Sequence, residues 1–364
     1  GFSGDGKQAV TAQLNLPTSV AADVAGNLYI SDYGNARIRK VAVNGIITTI
    51  AGTGVGAYNG DGPALTTKIF GVDGITVDAS GNVIFADQFN MRVRKITPAG
   101  TVVTIAGNGT AGFSGDGGSA LQASLNWPKD VKVDQAGNLY IADRHNLRVR
   151  KVSTSGIITT VAGNGVAGYG GDNGKATLAS IDPGGIAVDT LGNLYIADTE
   201  HERIRKVNSA GTISFFSGKG PLYGDGGMAN VALIHTPTAI SINAVGSIFV
   251  TDYDNHRIRV ISPTGAAGMR SNNNNTIMPA AVAPLTLNIY PSPAVSTLYV
   301  QVPVAGKISK LELIDVAGKV QQSQNINLSQ STIKLQVQQL APGTYFIRTT
   351  DKQNNVTVQK FIKQ

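Results

Sequence analysis

The sequence predicts an all-β chain, a β-propeller followed by a small β-sandwich, and three observations carry that expectation. The segment GNLYIADRHNLRVRK at Gly137 returns from Gly26, Gly81, Gly192 and Gly246, at successive intervals of 55, 56, 55 and 54 residues. So regular a period means one structural unit copied in series. The 44 glycines gather between and at the edges of alternating apolar runs, the punctuation of short strands joined by tight turns. No long stretch shows the 3.6-residue apolar rhythm of an amphipathic helix.

The unit from Pro128 to Gly165 shows the elements in order. Lys129 to Asp134 alternates as a strand, Gln135 to Gly137 turns, and Asn138 to Asp143 alternates again. After a hairpin tip at Arg144 to Leu147, Arg148 to Val152 gives a third strand, Ser153 to Gly156 turns, and Ile157 to Ala162 gives a fourth. Four antiparallel strands repeated radially form a propeller blade, whereas a flat solenoid uses fewer strands and a shorter period. Five such units are visible, and the last runs out at Ile261 to Ser271 without the ITTIAG-type strand. Gly1 to Gly6 matches the segment that comes after that strand in the other units. The pattern predicts six blades when complete, or a ring closed by an N-terminal segment that completes the last blade, with further residues upstream of Gly1.

Composition bounds the rest. With 364 residues, 42% of them hydrophobic and 15% charged, the chain can bury a large core and still carry a smaller domain. Residues 263–285, rich in Ala, Asn, Pro and Ser, read as a linker between a propeller at 1–262 and a sandwich of about seven alternating strands at 286–364. Cysteine is absent, which removes disulfides, thiolate metal sites and cysteine nucleophiles. No apolar run is long enough for a membrane-spanning helix. The formal charge is +7, but residues 286–364 hold eight basic residues against three acidic ones, and the remainder holds 22 against 20. A nearly neutral repeat region lacks the field of a nucleic-acid binder, so no nucleic-acid partner is expected.

The pattern D-x-x-N-x-R-[IV]-R-K at Asp32 to Lys40, Asp87 to Lys95 and Asp143 to Lys151, with looser copies at Asp198 and Asp252 and GFSGDG-type linking segments, resembles the NHL repeat. The resemblance implies a propeller that is usually six-bladed. The end of the chain is similar to the C-terminal sorting domain of the type IX (Por) secretion system. Tyr290-Pro291-Ser292-Pro293, Asp315 to Lys319, Leu340 to Phe346 and a lysine-bearing last strand at Lys360 to Lys363 carry that likeness, with Ser292 where asparagine is usual. Pro291, Pro293, Gly318, Pro342, Gly343 and Tyr345 are then the sorting-signal residues. This resemblance implies a Bacteroidetes-type bacterium, a signal peptide upstream, passage through the periplasm and the type IX machinery as partner. The implied address is secreted or at the outer-membrane surface, with membrane contact only through the sorting pathway.

Groups present in every unit are expected to build the blade. Asp32, Asp87, Asp143, Asp198 and Asp252, followed five residues later by Arg37, Arg92, Arg148, Arg203 and Arg257, are read as hairpin-tip bonding and Asp–Arg pairing. Asp5, Asp61, Asp116, Asp172 and Asp225 in GDG and GDN segments are read as turn-closing residues rather than calcium ligands. The connections of about 18 residues, such as Gly52 to Phe70, are expected on the top face with the hairpin tips, far from the minimal bottom turns.

Function is therefore sought where the units differ. Asp73, Trp127, Lys129, Asp130, Asp182 and His235 fall at the entrances of the innermost strands, and Tyr33, Arg144, His145 and Tyr253 fall at hairpin tips, with Phe89, Glu200 and His201 beside them. A rim of mixed charge and aromatic rings suits a polar ligand or a protein loop. His145, His201, His235 and His256 sit at different slots on separate units and do not converge as metal ligands, so neither metal nor cofactor is expected. The sequence has no G-x-S-x-G elbow, and no catalytic residue is assigned. The expectation is a secreted or cell-surface, non-catalytic propeller that binds a protein or glycan through its top-face loops. The alternative is a secreted lyase or glycan-active enzyme using carboxylates at the channel mouth, Asp73, Asp130 or Asp182 beside Lys129.

Overall fold

The computed structural model describes residues 1–218, 229–243, 246–262, 270–271, 288–290, 295–301, 308–315, 319–326, 332–351 and 356–364. The chain divides into two compact units, Gly1–Asn274 and Asn275–Gln364. In the first, five antiparallel sheets stand side by side as blades. Their innermost strands are Pro17–Ala22, Val72–Val77, Pro128–Val133, Pro183–Val188 and Pro237–Ile242. Each is followed by a second strand, at Leu28–Asp32, Val83–Asp87, Leu139–Asp143, Leu194–Asp198 and Ile248–Asp252, and a third, at Arg37–Val41, Arg92–Ile96, Arg148–Val152, Arg203–Val207 and Arg257–Ile261. Among the described residues there are no α-helices, only short 3-10 turns.

Period-two alternation gives each blade two apolar faces. In blade 3, Val131, Leu139, Ile141, Val152 and Ile158 pack on Ile84, Ala86, Val93 and Ala106 of blade 2. The intervening Tyr140, Ala142, Val149 and Ala162 pack on Ile186, Leu194, Ile196, Val207 and Ile213 of blade 4. The same zipper joins blades 1 and 2 and blades 4 and 5. Blades 2 to 4 bury both faces in this way, which makes the series one core; blade 1 leaves Val20 and Leu28 exposed on its outer face, and blade 5 leaves Phe249 and Ile258 exposed on its own.

The connecting segments belong to the blades they lead into. Lys7–Gln8 pairs with the outer strand Ile46–Ala51 of its own blade, Lys7 opposite Ile47. Gly62–Pro63 likewise pairs with Thr101–Ala106 of blade 2, and Ser119 and Lys175 bridge to Ile157 and Thr212. A connection thus runs first along the outer edge of the blade it leads into, covering an edge strand, and only then returns to the innermost strand. In blade 5 the fourth position is taken by Arg270–Ser271, paired with Val260 and Arg259. That pair falls inside the expected linker, whose other residues lie outside the described ones.

The second unit has a three-stranded sheet, Asn288–Tyr290, Thr297–Gln301 and Thr332–Gln336, and a four-stranded one of Val320–Asn325, Ile308–Asp315, Gly343–Asp351 and Val356–Lys363. Leu298, Val300, Leu311, Leu313, Ile333, Leu335, Ile347 and Phe361 form its core. Tyr345 is buried against Phe361 and donates its hydroxyl to the Ala341 carbonyl at 3.1 Å, just before Pro342 and Gly343 open the strand. Pro291, Pro293 and Gly318 lie outside the described residues.

Candidate ligand site at the hairpin tips

The repeated polar groups come first, because they set the frame. Asp143 is fully buried and accepts the Asn126 N–H at 2.7 Å, the Asn146 amide at 2.7 Å and Arg150 Nη1 at 3.4 Å. Its partner is the arginine seven residues on, not Arg148 five residues on, and the same holds for Arg39 with Asp32, Arg94 with Asp87 and Arg259 with Asp252. Arg150 also binds Asp116 at 2.7 Å. The aspartates of the GDG-type segments are therefore arginine partners that clamp each connection to its blade, as Asp5, Asp61 and Asp172 do on Arg39, Arg94 and Arg205. Asp225 lies outside the described residues. Arg148 donates instead to the Asn146 and Asn164 carbonyls and lies over the Phe113 ring at 3.8 Å. Phe2, Tyr58 and Tyr169 take the same place under Arg37, Arg92 and Arg203. The aromatic and the aspartate three residues after it form one clip around R-x-R, and this consumes both recurring charges as scaffold.

The hairpin tips and the entrances of the innermost strands share one end of the blades, since Pro128 pairs with Asp143 and Pro183 with Asp198. Here the units diverge. Trp127 holds a left-handed backbone, φ 51°, which turns its ring across the entrance. It stacks on His145 with centroids 4.3 Å apart and meets the edge of Phe89 at 5.1 Å. Phe89 continues to Phe70 at 4.7 Å and to Tyr33 at 6.3 Å. Gly71 shares the left-handed conformation, and a Cβ there would meet the Phe89 ring at 2.3 Å, so the glycine is what admits the ring. The result is an arc of five rings over the tips of blades 1 to 3.

Beside the arc lie charges from blades 2 to 4. Lys129 Nζ stands 4.0 Å from Asp73. Burial pushes the Asp73 carboxyl up to about 6, with Lys129 opposing and Asp130 adding to the shift. Asp130 is buried and committed, accepting Lys132 Nζ at 2.6 Å and the Ile186 N–H of the next blade at 2.9 Å. Asp182 is buried and binds Arg144 through Nε at 3.2 Å and Nη2 at 3.1 Å, and Arg144 reaches Glu200 at 3.5 Å. Burial and the neighbouring Arg144 lower the pKa of His145, which favours the neutral imidazole against Trp127. Tyr33 is raised by burial and by Asp73.

His235 is placed apart from this cluster: its Nδ1 faces Glu202 at 2.9 Å and its N–H bonds to Asp252. Tyr253 projects from the fifth tip, 63% exposed. His201 bonds to Asp198 at 2.6 Å, in the slot other blades give to asparagine. Among the described residues no three His, Cys, Asp or Glu side chains could hold a metal ion. Sequence reasoning passed over Phe70 and Lys132. Both break the repeat, Phe70 standing where other units have Asn15, Asn126, Asp182 and His235 and Lys132 where they have Ala21, Thr76, Ala187 and Ser241, so the comparison of units applied along the whole innermost strand would have found them.

Fold and site define a propeller of NHL repeats with an export tail, and the likenesses of the chain agree. Residues 181–207 match the NHL repeat, residues 2–60 and 109–167 match the teneurin NHL domain, and residues 288–364 match the secretion system C-terminal sorting domain. The chain carries NHL repeats and ends in a Por-type sorting domain, which marks it as exported, at the cell surface or secreted. Teneurin-1 of Gallus gallus is 30% identical over 283 residues, 66% of this chain and 10% of the relative. Teneurin-3 of Danio rerio is 28% identical over 291 residues, 68% of this chain and 11% of the relative. The chain thus spans about a tenth of the length of these relatives. An auxiliary nutrient binding protein from Bacteroides ovatus superposes with a TM-score of 0.52 at 15% identity, over 72% of this chain and 61% of that one, which shows the fold.

Proposed function

We propose that residues 1–262 form a non-catalytic binding module that takes a glycan or protein ligand at its hairpin tips, and that residues 286–364 serve its export by the type IX machinery. The observation that carries this reading is the arc Tyr33, Phe89, Trp127, His145 with Phe70, a run of rings bordering partly buried charge. Ring faces bind sugar C–H surfaces and apolar side chains with little loss of entropy, and the bordering charges fix orientation. The propeller from Bacteroides ovatus, described as nutrient binding, accords with such a role.

Two-carboxylate catalysis needs an acid and a second free carboxylate at a set separation. Asp73, raised to about 6, suits an acid, but Asp130 and Asp182 spend their oxygens on Lys132, Ile186 and Arg144. That difference favours binding over cleavage. Glycan and peptide arrays probed with the full chain test the reading. Ligands retained by the parent and lost by Trp127→Ala and Lys129→Ala support it. Turnover of an array glycan that disappears in Asp73→Asn overturns it.

A further inference from the structure

A second departure from the repeat lies on the other end of the blades. The second-strand residue after the leucine slot is Tyr29 in blade 1, Tyr140 in blade 3 and Tyr195 in blade 4, but Ile84 in blade 2. Each tyrosine faces a lysine across the ladder, Tyr29 opposite Lys40, Tyr140 opposite Lys151, Tyr195 opposite Lys206. The ammonium sits over the ring at 5.5, 5.2 and 5.4 Å. The ring packs on the aliphatic wall of the next blade. In two cases the hydroxyl donates to the aspartate of the bottom turn, Tyr29 to Asp23 at 3.0 Å and Tyr195 to Asp189 at 3.3 Å.

Blade 2 keeps every partner of that tyrosine and lacks the tyrosine. Lys95 stands opposite Ile84. Asp78 keeps its bonds from Asn82 and Ser80 but meets an isoleucine where Asp23 and Asp189 meet a phenol. Leu139, Val152 and Val133 of blade 3 supply the wall. A cavity of about 620 Å³ opens at this place, with Asp78, Ile84, Lys95, Val133, Leu139 and Val152 among its lining. That size suits a small ligand, and it exceeds a lone aromatic ring, so a ring with a substituent fits.

We propose that the cleft between blades 2 and 3 binds a substituted phenol, either a free small molecule or the side chain of a tyrosine presented by a peptide. Its ring lies between the Lys95 ammonium and the Leu139–Val152 wall, a cation–π contact of the kind three other blades make internally. Its hydroxyl donates to the Asp78 carboxylate, a charge-assisted bond. The proposal stands independently of the hairpin-tip reading, since it uses other residues on the opposite end of the blades.

The test is a ligand-observed NMR titration of the full chain with p-cresol, N-acetyltyrosinamide and toluene. Saturable binding of p-cresol is expected, with toluene weaker by roughly tenfold for want of the hydroxyl. Ile84→Tyr restores the repeat and fills the cleft, so it should abolish p-cresol binding without lowering the unfolding temperature. Leu121→Trp, at an exposed position of the lining, blocks the same space without touching the core and should do likewise. Binding of N-acetyltyrosinamide as well points to a peptide tyrosine, and binding of p-cresol alone to a free phenol. Absence of saturable p-cresol binding to the parent, or undiminished binding in both Ile84→Tyr and Leu121→Trp, overturns the proposal.

Discussion

Asp143 and Asp73 are the same chemical group held in two ways. Asp143 has no exposed surface and accepts three hydrogen bonds, the last from an arginine that grips Asp116 as well. Asp73 keeps 19% of its side chain exposed and has Lys129 at 4.0 Å, beyond hydrogen-bond distance. The first arrangement recurs around the propeller and the second occurs once. Saturated carboxylates hold blades together and have nothing left to offer a ligand. The unsaturated one, beside an arc of rings, does. In this repeat protein the recurring charged motif is scaffold, and the unspent carboxyl lies where the units differ.

This contrast can be broken from the scaffold side with the largest effect. Arg150→Met should lower the unfolding free energy by about 3–5 kcal/mol in urea, because Asp143 is left as a buried unpaired charge. A loss under about 1 kcal/mol would mean the triad is decorative. Next in size is Trp127→Ala, expected to weaken an array-selected ligand by about 2 kcal/mol as a central aromatic anchor. Its unfolding midpoint should hardly move, which separates it from Arg150→Met.

Part of the pH dependence comes from the raised pKa of Asp73, about 6 against an ordinary 3.8, and burial pushes Asp143 up to about 6 as well. Between these values the folded state binds more protons than the unfolded state, so each group makes stability fall as pH rises from about 4 to about 6. Asp73→Asn should remove its own share of the decline, roughly 2 kcal/mol between pH 4 and pH 7, and leave the share of Asp143 in place. An unchanged slope would place the carboxyl in an ordinary solvated setting. The smallest effect is expected for Asp116→Ala. Its carboxylate is 38% exposed, so screening limits the cost to below about 1 kcal/mol, even though the same arginine is involved.

Much of this was legible in the sequence. The period, the strand alternation and the turn glycines give the blades and their four strands, and the unit-to-unit differences pick out Trp127, Asp73 and Arg144. The arginine register was not legible. Arg148 and Arg150 both recur, lie two apart on one face of their strand, and carry side chains long enough to reach Asp143. In the structure Arg148 is held by the Asn146 and Asn164 carbonyls and lies nearer the Phe113 ring, 3.8 Å against 4.7 Å for Arg150, which turns to Asp143. Nor could the sequence say which blade a GFSGDG segment joins, since it sits between two outer edges. The Asp5–Arg39 pair and the Lys7–Ile47 ladder decide for the blade they lead into. The phenol-shaped cleft left its signal in plain view, as Ile84 in a column otherwise aromatic, but its meaning depends on Lys95 and Asp78 converging in space.

Trp127 is the chain's one tryptophan, so its fluorescence reports on this site alone. A fluorescence titration of the full chain with an array-selected ligand, run beside calorimetry of the same mixture, should show a saturable change in Trp127 emission at the calorimetric midpoint. Calorimetric binding that leaves Trp127 emission unmoved would place the ligand elsewhere and contradict the account.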